Sequence, residues 1–360
     1  METPPDALNI EALVPQVATD YDAEIQDGIQ KFEQLLADSF DAQHAEIFYE
    51  HADYVDSLFD EFAPHIEPDL RMRAKILGGI SLTFMSIKYG HDATSPKLYG
   101  GLREERVLAA YHHAQHPRHM MRAMFEYATK INEVRPGTYS DEDFVTFPET
   151  AGFHDVCMGD GRRVDEVQSW LLYKAFLERL GFAPSNKTKA GILVTIWDDL
   201  HKRQLVDTSE KALTDDPEIW DKRVAGVGDL ASVFECRGPY EALCVWLEDN
   251  CKKQNKQLFT KEADAAGFSL HDVSVEDCFA FVDTRERLLK ALGKALAGNV
   301  VFMRSFQPAD PDLDQYFTGR LANVTFFEAV SARFDAGKLS ARGVFRAARM
   351  FRDGFLPPAA

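Results

Sequence analysis

Eight of the eleven histidines in this 360-residue chain precede residue 120, and several stand at helical spacing from one another. His44 and His51 are seven positions apart, which puts them two turns apart on one helix face. His112 and His116, four apart, would share a face in the same way. Glu46 and Glu50 lie beside the first pair. Imidazoles and carboxylates that project from facing bundle helices hold iron, manganese or zinc. The set His44, Glu46, Glu50, His51, His112 and His116 therefore predicts a metal site between N-terminal helices, with non-haem oxidoreductase chemistry. Neither HExxH nor the Glu-x-x-His repeat of common di-iron bundles accompanies it. Core histidines satisfied by carboxylates or carbonyls fit the same pattern.

A second constellation is HDVCMGDGRRVDE, residues 154–166. His154 beside Asp155 offers a base with a carboxylate, and Cys157 offers a thiol nucleophile if its thiolate is stabilised. These three define an alternative catalytic centre; a solvated turn leading into a helix explains the segment equally well. Two further motifs carry less. Asp198-Asp199 lacks the rest of a DDxxD magnesium site, because His201 and Lys202 follow. Gly226 and Gly228 before Asp229 make no GxGxxG or Walker loop, so nucleotide binding is not supported.

The elements that must position these residues read as helices. Apolar side chains recur every three or four residues over 20–40, 42–62, from Pro68 through Ile87 with Gly90 as the C-cap, and over 102–116, 118–134 and 164–180. The helix from Pro68 is apolar on nearly all sides after Ala74, which marks it as surrounded by others. Gly78 and Gly79 in its middle allow close packing or mark a bend. Pro117 is expected to break or kink the chain after His116. Residues 1–17 read as a loose leader and 138–162 as irregular. The stretch 190–197 leans to helix for want of partner strands. Later helices are expected over 239–259, 275–296, 322–334 and 339–351. The fold class is mainly α, a multi-helix bundle-like globular protein with room for a small irregular or mixed segment. Gly, Pro, Ser and Asn around 182–188 suggest an acidic N-terminal helical domain over 1–181 and a C-terminal helical domain over 188–360, closely packed.

Charge is distributed unevenly. The first 70 residues hold 18 Asp or Glu against Lys31 alone, a net −17 out of −18 for the whole chain. Folding must spread those charges over solvent or set bases against them. An acidic excess argues against nucleic-acid binding, since phosphate carries the same sign. Lys338, Arg342, Arg346 and Arg349 form one basic stripe on the last helix, with Arg352 beyond. That stripe is expected to fold against the acidic opening segment. The five cysteines (Cys157, Cys236, Cys244, Cys251 and Cys278) are odd in number and show no CxxC pair, which fits reduced thiols in a cytoplasmic protein. No secretion signal or transmembrane run is legible. The first functional expectation is a regulatory or protein-interaction module that offers its acidic surface to a basic protein partner. The two enzyme readings above stand as alternatives, and oligomeric state is left open.

Overall fold

The computed structural model describes residues 10–20, 22–38, 42–99, 107–158, 164–194, 225, 228–229, 237–251, 258–305 and 319–355. Among them are fourteen helices and one two-stranded sheet, a mainly α fold. In the N-terminal half α1 spans Ile10–Asp20, α2 Asp22–Asp38, α3 Ala42–Phe62, α4 Pro68–Lys88, α5 Gln115–Val134, α6 Asp141–Phe153, α7 Val164–Arg179 and α8 Asn186–Val194. Strands β1 (Leu98–Tyr99) and β2 (Val107–Leu108) pair antiparallel between α4 and α5. Then come α9 (Gly238–Cys251), α10 (Leu258–Ala266), α11 (Val275–Val282), α12 (Glu286–Ser305), α13 (Gly319–Asp335) and α14 (Ala341–Arg352). No helix among the described residues is long and apolar enough to cross a membrane.

Helix α4 is the centre that its all-round apolar character predicts. It packs on α3 along one side and α6 along another. Gly78 and Gly79 serve close packing. A Cβ at Gly78 would stand 3.0 Å from both Pro148 and Val55, and one at Gly79 would stand 3.0 Å from the Phe48 ring. Gly152 does the same from the α6 side, where an added Cβ would lie 3.0 Å from Ser81 Cβ. Glu149, fully buried, joins α6 to α4 through Arg73 at 2.8 and 3.1 Å and also accepts from the Tyr173 hydroxyl of α7. Helix α6 is thus fixed against its neighbours by Glu149, five residues before His154, and packed closely again at Gly152.

Several sequence expectations are corrected. Residues 10–17 of the expected leader belong to α1, which runs on to Asp20 and has Pro15 inside it. The expected helix over 102–116 does not form where it is described. Residues 107–108 are strand, and the chain from Ala109 to Ala114 is held by backbone bonds to Lys97 and Gly90 before α5 starts at Gln115. Pro117 therefore sits in the first turn of α5, where its missing N–H has no helical partner to lose. The irregular stretch expected over 138–162 contains α6. Ser140 caps it, accepting from the Asp143 N–H while the Asp143 carboxylate accepts from the Ser140 N–H, a reciprocal capping box. The single helix expected over 275–296 is broken at 283–285, where Asp283 instead accepts from the N–H groups of Ala341 and Arg342 at the start of α14.

Side chains from both proposed domains share one core. The larger apolar cluster includes Val17 of α1, Tyr173 of α7, Leu247 of α9 and Phe351 of α14. The acidic opening segment meets bases from elsewhere in the chain. Glu33 pairs with Arg179 at 2.7 Å, Glu50 with Arg118 at 2.9 Å, Asp56 with Lys75 at 3.0 Å, Asp60 with Arg71 at 2.8 Å and Glu61 with Arg122 at 2.5 Å. The C-terminal stripe is not the counterpart expected for it. Arg342, Arg346 and Arg349 all converge on Glu276 of α11, at 3.0, 2.7 and 3.2 Å. Helices α11 and α14 pack side by side, so the nearest carboxylate row is local.

Candidate metal centre

Three buried side chains bring their ligand atoms into one small triangle. His116, in the first turn of α5, faces His154, the C-cap residue of α6, with the two Nε2 atoms 3.1 Å apart. Asp155 Oδ2 lies 2.7 Å from His154 Nε2 and 3.3 Å from His116 Nε2. A fourth group arrives from the far side of the sequence: Asp229 Oδ1 is 3.6 Å from His116 Nε2. All four side chains are at most 10% exposed.

The local sequence explains this convergence. His154 ends α6, and its Nδ1–H donates to the Ala151 carbonyl at 2.7 Å. With the Nδ1 proton so placed, Nε2 of the neutral ring carries the lone pair, which is the arrangement of a metal-ligating histidine. Asp155 follows directly in the turn. The approach of Asp229 depends on the residue before it. A Cβ at Gly228 would stand 2.7 Å from Met124 Cγ and 3.1 Å from the Met120 carbonyl oxygen, so only glycine lets this segment lie against α5.

The triangle has the dimensions of a coordination face. Ligand atoms about 2.1 Å from a common ion stand about 3.0 Å apart at right angles and about 3.4 Å apart at tetrahedral angles. The edges of 3.1 and 3.3 Å fit that range, while the 2.7 Å edge between His154 and Asp155 is that of a direct hydrogen bond and would have to open slightly around an ion. Electrostatics point the same way. Two carboxylates and two inward-facing imidazole nitrogens in a dry site need a positive charge among them. Protons supply it in the absence of an ion. Burial works against protonating His154, but the adjacent Asp155 outweighs it and raises the imidazole pKa above its ordinary value. Burial likewise opposes the Asp155 charge, and His154 and His116 more than offset it, holding the carboxyl well below the usual range.

Around this core is a second tier of oriented groups. Among the described residues, the buried Glu248 of α9 accepts from the Tyr99 hydroxyl at 2.6 Å, the N–H groups of Tyr111 and His112 at 2.9 and 3.1 Å, and His112 Nδ1 at 2.7 Å. His112 Nε2 then stands 3.8 Å from Asp155 Oδ2. His119 Nδ1 bonds Glu241 at 3.0 Å, and burial lowers its pKa to about 4. A cavity of about 270 Å³ opens on the His116 ring and is also lined by Tyr111, His113, His119, Tyr240 and Arg352.

The two constellations singled out in the sequence are thus each half of one site. His116 comes from the proposed ligand set, and His154 and Asp155 come from the proposed catalytic set. His112 lies beside them. His51 is elsewhere, with Nε2 2.8 Å from Ser86 Oγ and its ring stacked on His91. Glu46 and Glu50 are exposed, Glu50 on Arg118, and His44 has no contact with the triangle. Cys157 is half-buried, and its backbone N–H donates to Ser169 Oγ at 3.1 Å. Sequence reasoning missed Asp229 and Glu248. The Gly226-x-Gly228-Asp229 signal was visible but read for phosphate, and nothing local marks Glu248. The segment with Trp197, Asp198, Asp199 and His201, and also Cys236, lies outside the described residues. Comparison with known protein families, with curated proteins and with solved structures finds no match.

Proposed function

We propose that His116, His154, Asp155 and Asp229 hold a divalent transition-metal ion and that the protein is a metal-dependent hydrolase. The observation that carries this reading is the buried triangle of two imidazole Nε2 atoms and one carboxylate oxygen, with its three edges between 2.7 and 3.3 Å. Two nitrogen and two oxygen donors suit zinc, manganese or iron. Two anionic ligands neutralise a divalent charge, and four protein ligands leave positions for water and substrate. An ion in such a place acidifies its water and polarises a substrate oxygen. The cavity at His116 is the route by which a small substrate reaches it.

The test is elemental analysis of the full chain purified without chelator, followed by hydrolysis of activated nitrophenyl esters and phosphates by the zinc- and manganese-loaded protein. One ion per chain is expected, with turnover lost in Asp155→Asn. Absence of stoichiometric metal, and of uptake by the stripped protein, would overturn it. Oxidoreductase chemistry is the second reading, because two histidines and one carboxylate with open positions also suit ferrous iron and dioxygen. Oxygen consumption by the iron-loaded protein, with no hydrolysis by the zinc form, selects it. Docking of a basic protein on the acidic opening segment has less support, since Glu33, Glu50, Asp56, Asp60 and Glu61 already face bases of this chain.

A further inference from the structure

The cavity on His116 is walled by both halves of the chain. Tyr111 and His116 come from the N-terminal half, Tyr240 and Glu241 from the start of α9, and Arg352 from the last turn of α14. The charged groups in this wall differ in how far they are already engaged. Asp92 Oδ1 accepts from the Thr94 N–H at 2.8 Å and from the Thr94 hydroxyl at 2.6 Å. Glu241 accepts from His119 Nδ1 at 3.0 Å. Arg352 is held in a different way. Its guanidinium lies 4.2 Å from the centre of the Tyr240 ring, and its Nε donates to Asp353 Oδ1 at 2.8 Å. Tyr240 packs in turn on Phe345 of α14, with ring centres 5.3 Å apart, so the stack joins α9 to α14 and sets the plane of the guanidinium. Asp353 takes the Nε–H, and the terminal nitrogens keep N–H groups to offer a ligand. The side chain is 32% exposed, so its charge acts through a less polar surrounding than open water.

We infer that the cavity takes a small substrate bearing a carboxylate, which Arg352 binds while the hydrolysable bond lies at the ion on His116. This rests on the metal-centre reading above and names its substrate class. An ion and a guanidinium give one cavity two fixed positive points. A ligand with a negative group at one end and a polarisable oxygen at the other satisfies both. The volume of about 270 Å³ admits a small molecule. Arginine is the residue for such an anchor, because its planar fork matches a carboxylate with two parallel N–H···O bonds and it stays charged at every working pH. Stacking on Tyr240 orders the fork before the ligand arrives, so less freedom is lost on binding. A carboxylate fits better than a phosphate. Asp92 and Glu241 already bring two acids to the wall, and a dianion would meet more repulsion there than a single charge. Arg352 is thus a specificity-determining residue, placed by the last helix of the chain at a site whose metal ligands lie far from it in sequence.

The test measures binding and needs no turnover. Cobalt(II) is loaded into the full chain, and its visible absorption is followed while acetate, malonate, succinate, glutarate or adipate is added. Acetate can reach the ion alone. One of the diacids is expected to span the ion and Arg352 and to bind about tenfold tighter than acetate, or more. Arg352→Gln should remove that advantage while leaving cobalt content and acetate affinity at their wild-type values, which also shows that the variant is folded around an intact site. If no diacid exceeds acetate, or if the advantage survives in Arg352→Gln, the proposal is overturned and the metal centre stands. Tighter binding of phosphonoacetate or 3-phosphonopropionate than of the diacid of matching length overturns the carboxylate assignment in favour of a phosphate group. Failure of the wild-type protein to take up cobalt instead sinks the metal-centre reading itself, and the two-point site with it.

Discussion

Two sites with buried histidines in the N-terminal half differ in what surrounds them. His51 is fully buried, bonded to Ser86 through one nitrogen and stacked on His91, with no partner at Nδ1. Burial, with help from the Arg118 and His91 charges, lowers its pKa to about 3. It is a neutral core residue. His116 and His154 are buried to a similar degree, but Asp155 and Asp229 face them and the His154 pKa moves up. Histidine count and helical spacing are alike in both places. The difference is the buried carboxylate, which turns a packed imidazole into a group that demands a cation.

The contrast is sharpest in metal retention. His154→Ala or Asp155→Asn should reduce metal affinity by 100-fold or more, measured by competition with a chromophoric chelator, whereas His51→Gln should keep one ion per chain. Metal loss from His51→Gln would erase the distinction. Gly228→Val tests whether the close approach to α5 is what delivers Asp229. The added side chain would meet the Met120 carbonyl oxygen, so the segment must move outward. A 10- to 100-fold loss of affinity is expected, with the helical circular dichroism unchanged.

Acid should separate the two groups by stability. An unfolded His51 takes up a proton near pH 6.5, and the folded one does so only near 3. Its contribution to stability is therefore complete above about pH 6.5 and is lost as the pH falls toward 3. Between pH 6.5 and 5 the loss is about 2 kcal/mol, visible as a falling urea midpoint. His51→Leu should flatten that part of the slope. The smallest effect lies furthest from the histidines. Glu276→Gln leaves Arg342, Arg346 and Arg349 without their shared carboxylate, and these arginines are about half exposed. A cost of about 1 kcal/mol is expected, shrinking in high salt. A cost independent of salt would mean packing, not charge, joins α11 to α14.

Much of the scaffold was legible in the chain. The period of apolar residues placed α3 over residues 42–62 and α4 from Pro68, and the all-round apolar character of α4 foretold its central position. Helix α6 was missed although its capping signal, Ser140 with Asp143, is local. Mixed residues around Pro148 and Gly152 obscured the period, and both turn out to be packing points against α4. The helix expected over 102–116 failed for the opposite reason. Its periodicity was acceptable, but backbone bonds to Lys97 and Gly90 stabilise strand and turn there instead.

Composition and spacing by themselves determined a helical chain, an acidic opening segment and two stretches with the right chemistry, one at His112–His116 and one at His154–Asp155. Each is a local property, set by the side chains within a few turns. Which histidines meet a carboxylate depended on the tertiary structure alone. Asp229 and Glu248 reach the site from more than 70 residues beyond His154, through a glycine contact and a buried hydrogen-bond network. Sequence separation carries no information about such encounters. They are decided when the apolar faces of α4, α5, α6 and α9 exclude water and leave the polar groups caught between them only one another to bond.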